Sequence, residues 1–144
     1  RHHLLIWARA QSQALTREAQ QRARHFDKIE TATRAIDCID SVLRVYPDEA
    51  ELNESRVALV EFIASVKVAH WMELAERSAF KGHYRRAINR YRDALFYLNQ
   101  DVVKEEVRIA GTEKIEGEIA KLQAQLRSNN GAQQRNAGDS GPKQ

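Results

Sequence analysis

The sharpest concentration of charge in the sequence lies between residues 81 and 92. Its six basic side chains are Lys81, His83, Arg85, Arg86, Arg90 and Arg92. Arg86 and Arg90 are one helical turn apart and would share a face of a helix. Guanidinium groups in this spacing could hold a phosphate, an acidic peptide or an RNA backbone. The same spacing is typical of the solvated face of an amphipathic helix, with Glu73, Glu76 or Asp93 as ionic partners.

The histidines and acidic residues give little sign of a metal centre or an active site. His70 and Glu73 are three apart, a spacing that can share a metal ion, but the sequence offers no second pair. Acidic pairs such as Glu113 with Glu116 lie beside no nucleophile. A glycine-rich phosphate loop, a GxSxG elbow and an HExxH pair are all absent from the sequence. The sequence therefore predicts a protein without catalytic activity, metal or cofactor.

Composition and charge are ordinary for a helical globular protein. The 144 residues are 42% hydrophobic and 30% charged, include two prolines, and carry a net charge of +3. Because acidic residues balance most of the basic ones, this charge does not favour nucleic acid as the partner. Cys38 is the only cysteine, which excludes an intramolecular disulfide and favours a reducing compartment. We therefore expect a cytoplasmic protein.

The first residues are more apolar than a free terminus usually is. No run of about 18 apolar residues that could span a membrane occurs. Residues 3–7 could be the juxtamembrane end of a longer chain whose N-terminal anchor is missing, which would place the protein at the cytoplasmic face of a membrane. The favoured interpretation is a first helical turn packed on the core through a stripe that begins with Leu4, Trp7, Ala10 and Ala14.

Apolar periodicity predicts helix almost throughout the chain. The expected helices span residues 3–27, 29–46, 48–81 and 84–98, and Pro47 ends the second. A fifth helix, capped by Asn99 or Asp101, is expected to break or kink at Gly111–Thr112. From residue 128 the chain is rich in Asn, Gln, Gly and Ser, which predicts a disordered tail over 128–144 after a single domain over 1–127.

The third and fourth expected helices resemble a tetratricopeptide repeat. The matching residues are Trp71, Leu74, Gly82, Tyr84, Ala87, Tyr91 and Ala94. Ala75 and Asn99 stand where the family usually has glycine and proline. A weaker match has Ala19, Ala23 and Phe26 on one helix and Ala35, Ile39, Val42 and Pro47 on the next, and its spacing from the first fits a lengthened helix between them. The resemblance implies an all-α fold of tetratricopeptide-like antiparallel helical hairpins, with a long central helix and a C-terminal helix.

The resemblance also implies a function in protein–protein interaction, as a scaffold or adaptor. The family binds partners on a concave face lined by the first helix of each hairpin. At the matching positions of this sequence stand Ala69, Met72, Glu73, Glu76, Ala79 and Phe80. Family members that grip a peptide's terminal carboxylate use Lys and Asn where Met72 and Glu76 stand, which argues against that mode. In a compact bundle the same face could instead be covered by other helices.

Two further surfaces are candidates for binding. Ile115, Ile119, Leu122 and Leu126 recur at four- and three-residue steps, which predicts a self-association surface of a homo-oligomer. The alternative function is a nucleic-acid or phosphate-binding helical module that uses the basic cluster Arg85, Arg86, Arg90 and Arg92. The sequence favours the interaction module, with another protein or peptide as its partner.

Overall fold

A computed structural model describes residues 1–22 and 24–139, and every regular element within these ranges is an α-helix. This confirms the all-helical class. The helices are α1 (His2–Gln21), α2 (His25–Leu43), α3 (Ala50–Phe80), α4 (Tyr84–Leu98) and α5 (Glu105–Asp139). The long third helix and the fourth helix lie within two residues of the predicted bounds.

Each helix packs against the next one along the chain, and α3 is long enough to serve two hydrophobic cores. We call these the N-terminal core and the C-terminal core. The N-terminal core joins α1, α2 and the first part of α3 through Ala8, Ala19, Ala32, Ala35, Ile39, Val42, Leu52 and Leu59. The C-terminal core joins the rest of α3 to α4 and α5 through Ala64, Ala75, Ala87, Ile88, Tyr91, Ala94, Leu98, Val103, Ile115, Ile119 and Leu122.

The turn between α3 and α4 has the geometry that the sequence predicts. Gly82 has φ +82°, in the left-handed region that favours glycine. The Gly82 N–H donates to the Ala79 carbonyl at 3.0 Å and the His83 N–H donates to the Ser78 carbonyl at 2.8 Å. These two bonds form a Schellman motif, which satisfies the last carbonyls of α3 and reverses the chain.

The first helix differs from the prediction in both its length and its buried face. It ends at Gln21, and Arg22 is extended, because the chain must reverse before α2 can pack against α1. Leu5 and Ala8 pack on the N-terminal core, whereas Trp7 remains 48% exposed. The predicted stripe through Leu4 and Trp7 is therefore wrong. Ala23, which belongs to the weaker repeat match, lies outside the described residues.

The last helix is continuous through Gly111–Thr112, so the predicted break there is wrong, whereas a kink at this point stays a prediction. A Cβ added at Gly111 would lie 2.7 Å from Leu98 Cδ2, so this glycine permits the close approach of α5 to α4. The structure places residues 128–139 in α5, and the single domain over 1–127 with a disordered tail over 128–144 stays a prediction. Glutamine, arginine and alanine in this segment are adequate helix formers that can extend a helix already nucleated by packing. Residues 140–144 lie outside the described part of the chain.

Candidate binding groove

One face of α3 carries a stripe of five residues at steps of four, three, four and three. This α3 stripe consists of Ala58, Phe62, Ser65, Ala69 and Met72. Such spacing keeps all five on one side of a helix. Ala58, Ser65 and Ala69 are exposed, and Phe62 and Met72 are half-buried. Three clefts open along the stripe, and Phe62 borders all three.

The first cleft lies between α1 and α3 and has a volume of about 320 Å³. Its α1 wall includes Ser12, Thr16 and Arg17, which face Leu59 and Phe62. The Thr16 hydroxyl donates to the Ser12 carbonyl at 2.7 Å, and the Ser12 hydroxyl donates to the Arg9 carbonyl at 3.2 Å. Because both hydroxyl protons are donated within α1, the polar groups of this wall that remain for a ligand are those of Gln13, Arg17 and Gln20.

The second cleft lies between α3 and the start of α5 and has a volume of about 430 Å³. Leu98, Val103 and Val107 line its far wall, and Met72 lies on its floor. Val107 is 54% exposed even though it is a large aliphatic side chain. This cleft can therefore receive an apolar side chain of a partner, and the flexible thioether of Met72 would adapt to its shape.

The third cleft, which we call the histidine cleft, has a volume of about 550 Å³ and lies between the start of α2 and the middle of α3. Its α2 wall carries Arg24, His25 and Lys28, and its α3 wall carries His70, Glu73 and Arg77. Arg77 Nη2 donates to Glu73 Oε1 at 2.6 Å, which neutralises the single carboxylate among the lining residues. Arg24 and Lys28 belong to none of the ion pairs formed within the described residues.

His25 and His70 stack face to face in this cleft. Their ring centroids are 3.5 Å apart and the ring planes differ by 14°. Burial lowers the pKa of His70 below its usual value, and the neighbouring charge of His25 lowers it further. The stack is consistent with a neutral His70 ring near pH 7, because two protonated imidazoles would repel each other at this distance.

The three clefts share lining residues of the α3 stripe, and we call them together the α3 groove, with the α3 stripe as its floor. From Ala58 to Met72 the floor is about 21 Å long at 1.5 Å per residue. Small side chains keep the floor open, and basic side chains stand at the α2 end. Such a surface suits binding of a polypeptide segment. Within residues 1–22 and 24–139, no three His, Cys, Asp or Glu side chains come together to hold a metal ion.

The predicted concave-face residues are divided by the structure. Met72 and Ala69 line the groove, and Glu73 lies in its histidine cleft. Glu76 is exposed, and its charge helps raise the pKa of Tyr91, after the larger effect of burial. Ala79 is half-buried and packs against the C-terminal core, outside the residues that line the groove. Phe80 is 94% exposed at the end of α3, beyond the residues that line the groove.

The basic cluster is spread around α4. Arg85, Arg86 and Arg92 are exposed, whereas the Arg90 guanidinium lies 5.3 Å from the centre of the Trp71 ring, a cation–π contact. None of the four takes part in an ion pair within the described residues, so the acidic partners considered for a solvated face are not engaged. Arg90 is therefore held by Trp71, whereas the other three side chains are exposed.

The predicted self-association stripe is inside the molecule. Ile115 is fully buried, Ile119 and Leu122 are nearly so, and Leu126 packs against the same C-terminal core. This corrects the prediction, because the apolar face of α5 is already covered by its neighbours within the chain. The apolar spacing along α5 correctly indicates a buried helix face. The spacing alone does not show whether that face is covered by the same chain or by a second copy of the protein.

Several groove residues were not predicted from the sequence. Phe62 falls within the expected third helix, and the small residues Ala58, Ser65 and Ala69 at helical spacing from it are the signal in the sequence that could have indicated an open face. Arg24 and Lys28 lay in a mostly polar stretch without periodicity. The stacking of His25 on His70 depends on the packing of α2 against α3 and leaves no local signal.

Comparisons were made with protein-family models, with curated proteins and with solved structures. None of the three gives a significant match to this chain. Within the described residues, no helix has both the length and the apolar character needed to cross a membrane.

Proposed function

We propose that this protein is a non-enzymatic interaction module that binds a segment of another protein in the α3 groove. The observation that carries the proposal is the continuous α3 stripe, whose exposed small residues leave three clefts open along one helix face. Exposed apolar surface in a concave site is the usual sign of a binding surface. The module would act as a scaffold or adaptor, and we place it in the cytoplasm.

The helix order supports a tetratricopeptide-like arrangement within this proposal. Helices α3 and α4 form a hairpin closed by Gly82, and α1 and α2 form a second pair that packs through α2 on α3. The first helix of each pair borders the groove, together with α5 and the start of α2. The lining by first helices is the part of this arrangement that the family resemblance implies.

The test is a blocked groove with a matched control. Ala58→Gln/Ala69→Gln adds two longer side chains to exposed floor positions and removes no core contact. Ala120→Gln/Ala124→Gln makes the same change at exposed positions of α5 outside the groove. Both variants should keep the circular dichroism spectrum of the wild type. A protein captured from native lysate by the wild type and the control, but lost with the blocked groove, supports the proposal. If the blocked variant captures the same protein as the wild type does, the proposal is contradicted.

The basic cluster supports a second candidate, a nucleic-acid or phosphate-binding module. The observation in its favour is that Arg85, Arg86 and Arg92 are exposed and outside the ion pairs of the described residues. Binding of labelled single-stranded RNA should then weaken steeply as salt rises and should be lost in Arg85→Gln/Arg86→Gln. An absence of binding at low salt would eliminate this candidate.

A further inference from the structure

The charges around the α3 groove are unequal in sign. Among the described residues that line the three clefts, the cations are Arg17, Arg24, Lys28, Arg77 and Lys104, and the carboxylates are Glu61 and Glu73. Glu73 is already paired with Arg77. The imbalance is concentrated in the histidine cleft, where Arg24 and Lys28 have no such partner and where the positive end of the α2 helix also opens.

We infer that the occupant of the α3 groove is an acidic segment of a partner protein, with Asp or Glu side chains in the histidine cleft and an apolar side chain in the cleft between α3 and α5. This inference rests on the proposed function and adds the chemistry of the partner to it. Charge complementarity supports it at one end of the groove, and the exposed aliphatic wall at Val107 supports it at the other.

The histidine pair adds a dependence on pH. The groups that bear on the charge of His70 are His25 from α2, Glu73 and Arg77 from α3, and Arg90 from α4, and Arg24 and Lys28 line the same cleft. A carboxylate bound beside the stacked rings would favour the protonated form of His70. Binding would then take up protons, and the affinity for an acidic segment would rise as pH falls from about 7.5 to about 6.

The experiment is a selection of displayed random peptides, long enough to span the groove, on the folded wild-type protein. The enriched peptides should combine acidic residues with at least one large apolar residue. Their dissociation constants are then measured by fluorescence anisotropy with synthetic labelled copies. Enrichment of neutral or basic peptides would overturn the inference.

A matched pair of charge variants tests where the carboxylates bind. Arg24→Gln/Lys28→Gln removes two positive charges from the histidine cleft, and should weaken binding of the selected acidic peptide about tenfold. Arg34→Gln/Arg44→Gln removes two positive charges from exposed positions on α2 and just after its end, and should change the affinity less than about twofold. Equal weakening by both variants would mean attraction to net charge alone and would overturn the site.

Two further measurements separate the inference from the proposed function. Wild-type affinity for the acidic peptide should rise several-fold at the lower pH, and His25→Gln/His70→Gln should remove this rise; an unchanged affinity would overturn the role of the histidines. If selected peptides lack acidic residues but lose binding in Ala58→Gln/Ala69→Gln, the inference fails and the proposed function stands. If no selected peptide responds to that block, both fail.

Discussion

The N-terminal and C-terminal cores share α3 but differ in size and make-up. Four of the eight buried residues of the N-terminal core are alanines, and Ile39 is its largest fully buried side chain. The C-terminal core has eleven buried residues, including Tyr91, Leu98 and Ile115. Since buried apolar area is the main source of stability, we expect the C-terminal half to be the more stable one.

Ionic contacts differ between the halves in the opposite sense, because the pairs that join different helices lie in the N-terminal half. In the N-terminal half, Arg1 pairs with Glu49, Arg9 pairs with Glu51, and Arg56 Nε lies 2.7 Å from Asp40 Oδ1, so helices α1 and α2 are tied to α3 or its entry. In the C-terminal half, the pairs formed by described residues join positions within one helix. Exposed pairs of this kind contribute little, so they do not compensate for the smaller core. The α1 and α2 walls of the groove are therefore expected to be the movable ones.

The largest effects should come from two matched truncations. Ile39 and Ile115 are both fully buried, one in each core. Either change to alanine should lower the free energy of unfolding by about 3 kcal/mol through lost contacts and a residual cavity. Ile39→Ala should accelerate hydrogen exchange mainly at the amides of α1 and α2. Ile115→Ala should also accelerate exchange at the amides of α4. Equal acceleration everywhere by Ile39→Ala would show a single cooperative unit.

Two glycines of α5 should respond oppositely to alanine. Gly111→Ala should cost about 1–3 kcal/mol, because the new Cβ would overlap the buried Leu98 side chain. Gly117→Ala should stabilise the protein by about 0.5–1 kcal/mol, because the added methyl meets nothing within 4 Å and alanine favours the helix. Urea denaturation measures both, and a stabilising Gly111→Ala would rule out the close approach of α5 to α4.

The ion pairs between helices should have smaller effects. Arg56→Gln should lower the free energy of unfolding by about 0.5 kcal/mol, because the side chains of Arg56 and Asp40 are 43% and 34% exposed. The loss should shrink in high salt, which screens the pair in the wild type. Arg77→Gln, which breaks a pair within α3, serves as the control and should cost no more. A loss several times larger would contradict the view that these pairs contribute little.

The smallest effect concerns the pH dependence of the free energy of unfolding, which His70 at the contact between α2 and α3 should influence. Because the pKa of His70 is lowered in the folded protein from its ordinary value of 6.5, the unfolded state binds more protons. The stabilisation is present above about pH 6.5 and is lost progressively as pH falls below it. Unfolding free energies measured across this range should show a shallower slope for His70→Gln than for the wild type. Identical slopes would contradict the lowered pKa.

The sequence predicts the α3–α4 hairpin well because its signals agree. Gly82 supplies the turn, and Ala87, Tyr91 and Ala94 recur at helical spacing, so local preference and packing point to the same structure. The buried face of α1 was missed because Leu4 with Trp7 and Leu5 with Ala8 are equally apolar pairs one step apart. Only the position of α2 decides which pair is covered.

The groove could be predicted only in part. Met72 and Ala69 lie on one helix, so a family register could place them. The histidine cleft joins two helices, and its geometry depends on packing that no local pattern records. The role of Gly111 could not be predicted for the same reason. In the sequence, a glycine that ends a helix cannot be distinguished from one that allows another helix to pack closely, and only the position of Leu98 shows that Gly111 is of the second kind.

Because the two cores share α3, the number of residues between them on this helix sets how one half of the molecule is rotated relative to the other. Leu59 belongs to one core and Ala64 to the other, so residues inserted between them would turn one half relative to the other. A single insertion would rotate the C-terminal half by about 100°, whereas seven would leave it within about 20° of its present orientation. Homologous chains should therefore vary in the length of this helix by nearly whole numbers of helical turns rather than by single residues.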